Sequence, residues 1–76
     1  MKVFDAKATG ENIKQRCEQA NLTPKDLSRL LNLDASTPYY WFQGKSMPRM
    51  DVACALADML KCSLDDLFIM TDDEEV

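Results

Sequence analysis

The sequence predicts an all-α fold of five short helices. Apolar residues recur at helical spacing, capping residues precede each apolar run, and no two alternating runs flank a turn dipeptide as a β-hairpin would require. The chain has 76 residues, of which 46% are hydrophobic, so it is too short to form a second core. We therefore expect an N-terminal arm at residues 1–8, one folded domain at 9–70 and an acidic, disordered tail at 71–76.

The first predicted helix begins after Thr9 and Gly10, either of which can serve as its N-cap. One apolar face follows at the spacing i, i+4, i+7, and it is formed by Ile13, Cys17 and Ala20. Asn21 is expected to end this helix, because Asn tolerates the left-handed backbone conformation that a helix terminus often needs.

The second helix has a strong start signal, with Thr23 as N-cap, Pro24 in the first helical position and Asp26 three residues after the cap. Its residues expected to face the core are Leu27, Leu30 and Leu31. By the same logic Thr37 is expected to cap the third helix, Pro38 to be its first residue and Gly44 to end it.

The fourth helix is predicted over residues 50–61. Its inward-facing residues are expected to be Met50, Ala53, Cys54, Ala57 and Leu60. Ser63 and Asp66 then form a final capping signature for a short helix that runs through Phe68.

Composition excludes several classes of function. The chain has no His, and its three Cys form no C-x-x-C pair, so we expect no metal site, no cofactor and no nucleophile–base pair for catalysis. No small-molecule ligand is indicated either. No segment approaches the roughly 20 apolar residues of a membrane span, and no signal peptide is recognisable, so a cytoplasmic location is expected.

Charge is distributed unevenly along the chain. The net charge is −4, yet residues 12–49 hold six basic and three acidic side chains, whereas residues 50–76 hold one basic and eight acidic ones. The middle of the chain is therefore basic and the C-terminal third is acidic, so the net charge alone does not identify the partner.

The second and third helices have the spacing of a helix-turn-helix unit. The apolar residues that such a unit needs at fixed offsets are Leu27, Leu31, Leu33 and Trp41. Ser28 is the small residue expected between the two helices, and Asn32 accepts the positive φ that the turn requires.

The ordered set of motifs resembles the Cro and lambda-repressor type of helix-turn-helix regulators. The residues that carry the resemblance are Gly10, Ile13, Leu22, Thr23, Asp26, Leu27, Ser28, Leu31, Tyr39, Trp41, Gly44, Pro48, Asp51 and the run 63–67. The resemblance implies a five-helix lambda-repressor-like domain that binds double-stranded operator DNA sequence-specifically, commonly as a homodimer. The chain departs from the pattern at Pro24, at Phe42 and most of all at Pro38.

The departure at Pro38 affects the third helix. Because the residue before a proline avoids the α region, we expect this helix to begin nearly a turn late, with Ala35 and Ser36 in an extended turn. Base reading would then shift toward the later residues of the helix.

Side-chain chemistry identifies candidate DNA contacts around the third helix. If Pro38 and Trp41 point inward, Tyr39, Tyr40 and Gln43 lie outward and can read bases. Ser36, before the helix, is a further base-reading candidate, because its hydroxyl can donate to or accept from a base edge or a phosphate. Candidate phosphate contacts are Thr23, Lys25, Thr37, Lys45 and Arg49. An alternative remains open: the acidic C-terminal third and the aromatic run 39–42 also fit a protein-interaction module, antitoxin-like or regulator-binding, on the same fold.

Overall fold

The computed structural model describes residues 1–72. In chain order the elements are β1 (Lys2–Phe4), α1 (Ala6–Gln19), α2 (Pro24–Leu31), α3 (Thr37–Phe42), α4 (Met50–Met59), α5 (Leu64–Leu67) and β2 (Met70–Asp72). The predicted helical fold with five helices is confirmed, and a small sheet that the sequence did not predict is added to it. None of the helices within the described residues is long and apolar enough to cross a membrane.

The sheet consists of β1 and β2, which pair antiparallel with Lys2 opposite Asp72, Val3 opposite Thr71 and Phe4 opposite Met70. The expectation of a separate arm at 1–8 and a disordered tail from 71 onward is therefore wrong for the paired residues at both ends. The predicted disorder of residues 73–76 lies outside the described part of the chain.

The first helix begins earlier than predicted. Asp5 is its N-cap, and the Asp5 carboxylate accepts a hydrogen bond of 2.9 Å from the Ala8 N–H. Thr9 and Gly10 lie inside the helix and are buried. The Thr9 hydroxyl accepts from the Ile69 N–H at 2.8 Å, so it joins α1 to the chain after α5 instead of capping a helix.

Two predicted capping boxes are present. Thr23 and Asp26 exchange hydrogen bonds of 3.0 and 3.1 Å at the start of α2. Ser63 and Asp66 do the same at the start of α5, at 3.2 and 3.1 Å. Each box satisfies two backbone N–H groups that the first turn of a helix leaves without partners.

The start of α3 differs from both expectations. Thr37 is its first residue rather than its cap, and Ser36 before it has right-handed helical angles, φ −82° and ψ −17°, not an extended backbone. A hydrogen bond of 3.1 Å from the Thr37 N–H to the Asp34 carbonyl closes the turn before it. Pro38 does not delay the helix, because the first turn has no use for the N–H that proline lacks.

Within two residues of its last helical residue, each of the helices α1 to α4 is followed by a residue of positive φ, namely Asn21 (58°), Asn32 (55°), Gly44 (75°) and Lys61 (55°). In each case the following N–H donates back to the carbonyl five residues earlier, at 2.8 to 3.0 Å, from Leu22 to Cys17, Leu33 to Ser28, Lys45 to Tyr40 and Cys62 to Ala57. This is the Schellman pattern. The ends at Asn21 and Gly44 and the turn at Asn32 confirm the sequence predictions, whereas α4 ends at Met59, before the predicted residue 61.

One core joins all five helices. Its buried members are Ile13, Cys17, Leu27, Trp41, Leu56, Ala57 and Leu67. Four residues predicted to face inward are instead exposed: Ala20, Leu30, Met50 and Cys54. Ala20 lies past the last residue of α1, and Cys54 lies about 100° around α4 from buried Ala53. Leu56, which the sequence analysis did not select, occupies the inward position instead.

Candidate nucleic-acid interface

The third helix lies directly against the backbone of α1. A Cβ atom added to Gly10 would meet the Trp41 carbonyl oxygen, would lie 2.9 Å from the Phe42 carbonyl oxygen and would lie 3.0 Å from the Gly44 nitrogen. Gly10 is therefore required because the C-terminal end of α3 approaches α1 more closely than any side chain permits. This contact fixes the orientation of α3 and hence of the side chains it exposes.

The outward face of α3 holds all four residues predicted to read bases. Ser36 and Gln43 both have right-handed helical angles, so residues 36–43 follow one helical path. At about 100° per residue, the side chains 39, 43, 36 and 40 fall in that order within an arc of about 100°. All four are exposed, while Pro38 and Trp41 on the opposite side are buried. The predicted inward and outward faces are confirmed.

A cleft of about 260 Å³ borders this face on the side of α1. We call it the aromatic cleft; Lys14, Glu18, Pro24, Tyr39, Phe42 and Gln43 are among its lining residues. The rings of Tyr39 and Phe42 meet edge to face, with centroids 6.4 Å apart. Phe42, one of the departures from the family pattern, is half-buried in this cleft.

Thr37 lies on the other flank of α3. It is half-buried and, with Arg49, lines a second cleft of about 220 Å³ between α3 and the start of α4. Thr37 therefore lies away from the four outward residues and next to Arg49, which is also a predicted phosphate contact.

At the start of α2 the capping box already uses most of the hydrogen-bonding capacity. The Thr23 N–H donates to the Asp26 carboxylate and the Asp26 N–H to the Thr23 hydroxyl oxygen, while Pro24 has no N–H. The bond from the Thr23 N–H lowers the pKa of Asp26, with further lowering by the Thr23 side chain and Arg29. Asp26 thus places a negative charge at the helix N-terminus and engages Thr23, so of the two residues predicted to contact phosphate here the exposed Lys25 is the freer one.

Two cations follow α3. The Lys45 N–H donates to the Tyr40 carbonyl at 2.9 Å, so the backbone of Lys45 is fixed at the end of the outward face. Arg49 lies 3.4 Å from Asp51, and both side chains are more than two-thirds exposed. Such an exposed pair is weak, so it leaves Arg49 able to exchange Asp51 for a phosphate.

A comparison with known protein families shows which family this chain belongs to. A model of the family described as Cro/C1-type HTH DNA-binding domain matches residues 12–73, which is more than half of the chain. The chain belongs to this Cro/C1-type family. No curated protein and no solved structure matches it.

The matched Cro/C1-type region begins after the first turn of α1, and sequence reasoning missed a candidate residue just before it. Exposed Lys7 has its Cα 2.9 Å from the position that a Gly44 Cβ would take, so it lies beside the loop that carries Lys45. An Asp at position 5 is a favourable N-cap and was the available signal that Lys7 belongs to a helix.

Proposed function

We propose that this Cro/C1-type domain is a sequence-specific transcriptional regulator whose helices α2 and α3 dock in the major groove of DNA. We further propose that it acts as a homodimer on two half-sites about 34–36 Å apart. The observation that carries the proposal is the outward face of α3, where four side chains able to contact bases lie opposite buried Pro38 and Trp41.

Each outward residue has a distinct role in this proposal. Gln43 reads an adenine through a bidentate pair, and Ser36 donates to or accepts from a base edge. Tyr39 and Tyr40 offer aromatic rings to thymine methyl groups and hydroxyl groups to phosphates. Because Tyr39 also packs on Phe42, its ring is restrained on one side, and Tyr40 is the freer of the two.

The proposed phosphate contacts lie around the outward face of α3. Lys25 and Thr23 approach the backbone from the start of α2, and Lys45 and Arg49 approach it from the chain after α3. Thr37 supports the Arg49 side of the site, since the two residues line one cleft. These contacts would orient α3 in the groove without distinguishing one base sequence from another.

Selection of binding sites from a randomised duplex library tests the proposal, followed by fluorescence anisotropy of the selected duplex at increasing salt. We expect an enriched, pseudo-palindromic sequence. Lys25, Lys45 and Arg49 would neutralise about three phosphates per protomer, so log K should fall with log salt at a slope near −2.7 per protomer. Failure to enrich any sequence, with no salt-dependent binding, would contradict the proposal.

The aromatic cleft favours a second candidate function, a protein-interaction module of the antitoxin-like or regulator-binding kind. Its half-buried Phe42 and neighbouring Tyr39 offer apolar surface beside Lys14 and Glu18. Two substitutions separate the candidates: Phe42→Ala should abolish binding to a protein partner, while Tyr40→Ala, outside the cleft, should affect binding to DNA alone.

A further inference from the structure

The β1–β2 ribbon is an incomplete sheet. Two strands of three residues each are marginal by themselves, because isolated two-stranded pairs seldom persist in water. Phe4 and Met70 face each other across the strands and remain 46% and 49% exposed. The ribbon therefore presents apolar side chains next to backbone edges on which a further strand can pair.

The alternation of hydrogen-bonded pairs along the ribbon shows which backbone groups of β1 are available to pair with a further strand. The Asp5 N–H donates to the Ile69 carbonyl at 2.9 Å, which makes Asp5 and Ile69 a hydrogen-bonded pair. Since such pairs alternate along an antiparallel ladder, the N–H and carbonyl of Val3 face β2, whereas those of Lys2 and Phe4 face the free edge of β1.

We propose that two copies of this chain associate through the free edges of β1, antiparallel about a two-fold axis at Val3. Lys2 then lies opposite the partner's Phe4, and each of the two symmetric pairs exchanges two backbone hydrogen bonds. The product is a four-stranded sheet in the order β2–β1–β1–β2. This surface supplies the contact for the homodimer in the proposed function, and the inference rests on that function.

Charge favours the edge of β1 over the edge of β2. Strand β2 leads directly into Asp73, Glu74 and Glu75 in the sequence, and a run of like charges next to an edge strand opposes pairing with another copy of the chain. On β1 the positive charge of Lys2 is compensated by Asp72, 3.4 Å away within the same ribbon. The two-fold register also places no like charges directly opposite each other.

The position of β1 is compatible with two recognition helices on one DNA duplex. Lys7 contacts Gly44 at the end of α3 and lies four residues after Val3. A chain of that length spans at most about 14 Å, which places Gly44 within about 18 Å of Val3. The two Gly44 residues of the dimer therefore lie within about 40 Å of each other, a limit that includes the half-site spacing of about 34–36 Å.

The contact is small, so the free dimer is weak. A three-residue strand cannot bury the roughly 800 Å² per partner of a standard interface. Pairing is accordingly expected at high protein concentration and on a duplex that holds two copies side by side.

Disulfide trapping in the absence of DNA tests the register. In the proposed sheet the two Val3 residues form a non-hydrogen-bonded pair with Cα atoms about 4.5 Å apart, within the range of a disulfide. Val3→Cys, made in a Cys54→Ser background to remove the exposed thiol, should form a covalent dimer in a glutathione redox buffer. Thr71→Cys is the matched control, since two Thr71 residues would lie about 14 Å apart.

Sedimentation equilibrium tests the edge itself. Lys2→Pro removes an N–H that points to the free edge and spares the bonds between β1 and β2. Lys2→Ala removes the same side chain and retains the N–H. We expect Lys2→Pro to weaken association by about tenfold or more, and Lys2→Ala to leave it unchanged, with equal thermal unfolding midpoints.

Equal association of the two Lys2 variants, or trapping of Thr71→Cys as readily as Val3→Cys, would overturn the inference. A monomeric parent chain with no trapping at position 3 would overturn it as well. Because both measurements omit DNA, these failures are separate from failure of the proposed function, which would appear as absence of an enriched duplex sequence.

Discussion

Gly10→Ala tests the close approach that orients the recognition helix. In an ordinary helix this change is stabilising by about 1 kcal/mol, because Ala has the higher helix propensity. In this chain the added Cβ would lie 2.9 Å from the Phe42 carbonyl oxygen and 3.0 Å from the Gly44 nitrogen, besides its contact with Trp41. All three neighbouring atoms belong to the backbone, so no side-chain rotation relieves the contacts.

The expected magnitude follows from the two opposing terms. Overpacking costs about 1–3 kcal/mol, and three close backbone contacts place Gly10 toward the upper end of that range. After subtraction of the propensity gain of about 1 kcal/mol, we expect Gly10→Ala to lower the free energy of unfolding by about 2 kcal/mol. The sign is opposite to that of a Gly-to-Ala change at an open helix position.

Urea denaturation monitored by Trp41 fluorescence measures the effect, because Trp41 is the single tryptophan and is 2% exposed. Exposed Gln15 on α1 provides the matched control. There Gln15→Ala should be more stable than Gln15→Gly by about 1 kcal/mol. A Gly10→Ala variant as stable as the parent, or more stable, would refute the argument that Gly10 is needed for contact with α3.

Three further predictions concern the outward face of α3, the cap of α2 and the cysteine thiols. Gln43→Ala should reduce discrimination at one base pair by about 1–3 kcal/mol, whereas Lys45→Ala should weaken all sequences alike and reduce the salt slope by about 1, both measured by anisotropy. Hydrogen bonds hold the pKa of Asp26 below its ordinary 3.8. The stability that the Asp26 carboxylate contributes is therefore present above pH 3.8 and is lost as the pH falls through the folded-state pKa. The thermal unfolding midpoints of the parent chain and of Asp26→Asn should differ near pH 6 and converge in acid. Burial raises the pKa of the Cys17 thiol to about 11, so at pH 8 a thiol reagent should label exposed Cys54 first and Cys17 after unfolding.

Each of these predictions has a contradicting result. Unchanged discrimination between base pairs in Gln43→Ala would contradict the base-reading role of Gln43. A loss of affinity in Lys45→Ala that depends on the DNA sequence would contradict the phosphate-binding role of Lys45. A difference between the chain and Asp26→Asn that persists at pH 2 would mean that the carboxylate charge is not what stabilises the cap. Labelling of Cys17 in the folded chain at the rate of Cys54 would contradict its burial.

The helix caps that were predicted correctly are those formed between residues close together in the sequence. The boxes at Thr23 and Ser63 and the helix end at Asn21 depend on a few neighbouring positions, and each was correctly assigned. Thr9 was assigned wrongly as a cap because its hydroxyl bonds to the N–H of Ile69, sixty residues away, and no local pattern records that contact.

The small sheet was missed for a related reason. Each strand has three residues, which is too short for an alternating pattern, and its partner lies at the opposite end of the chain. Lys61 was predicted as the last residue of α4, but its positive φ of 55° was not predicted, because the left-handed conformation is rare for residues other than Gly, Asn and Asp.

The outward face of α3 was predictable because Pro38 and Trp41 fix the buried side of a short helix. What sequence could not supply is the surroundings of that face. The position of Thr37 beside Arg49, the aromatic cleft at Phe42 and the approach of Lys7 all follow from how α1 and α4 pack around α3. Spacing along one helix carries no information about that packing.

Amide chemical-shift mapping on the selected duplex identifies the surface of the domain that meets DNA. We expect the largest changes along residues 36–43, with Tyr40 and Gln43 foremost and Lys45 beside them, and none of comparable size with a scrambled duplex. Changes centred instead on Lys14 and Glu18 in the aromatic cleft, with residues 36 and 40 unaffected, would contradict it.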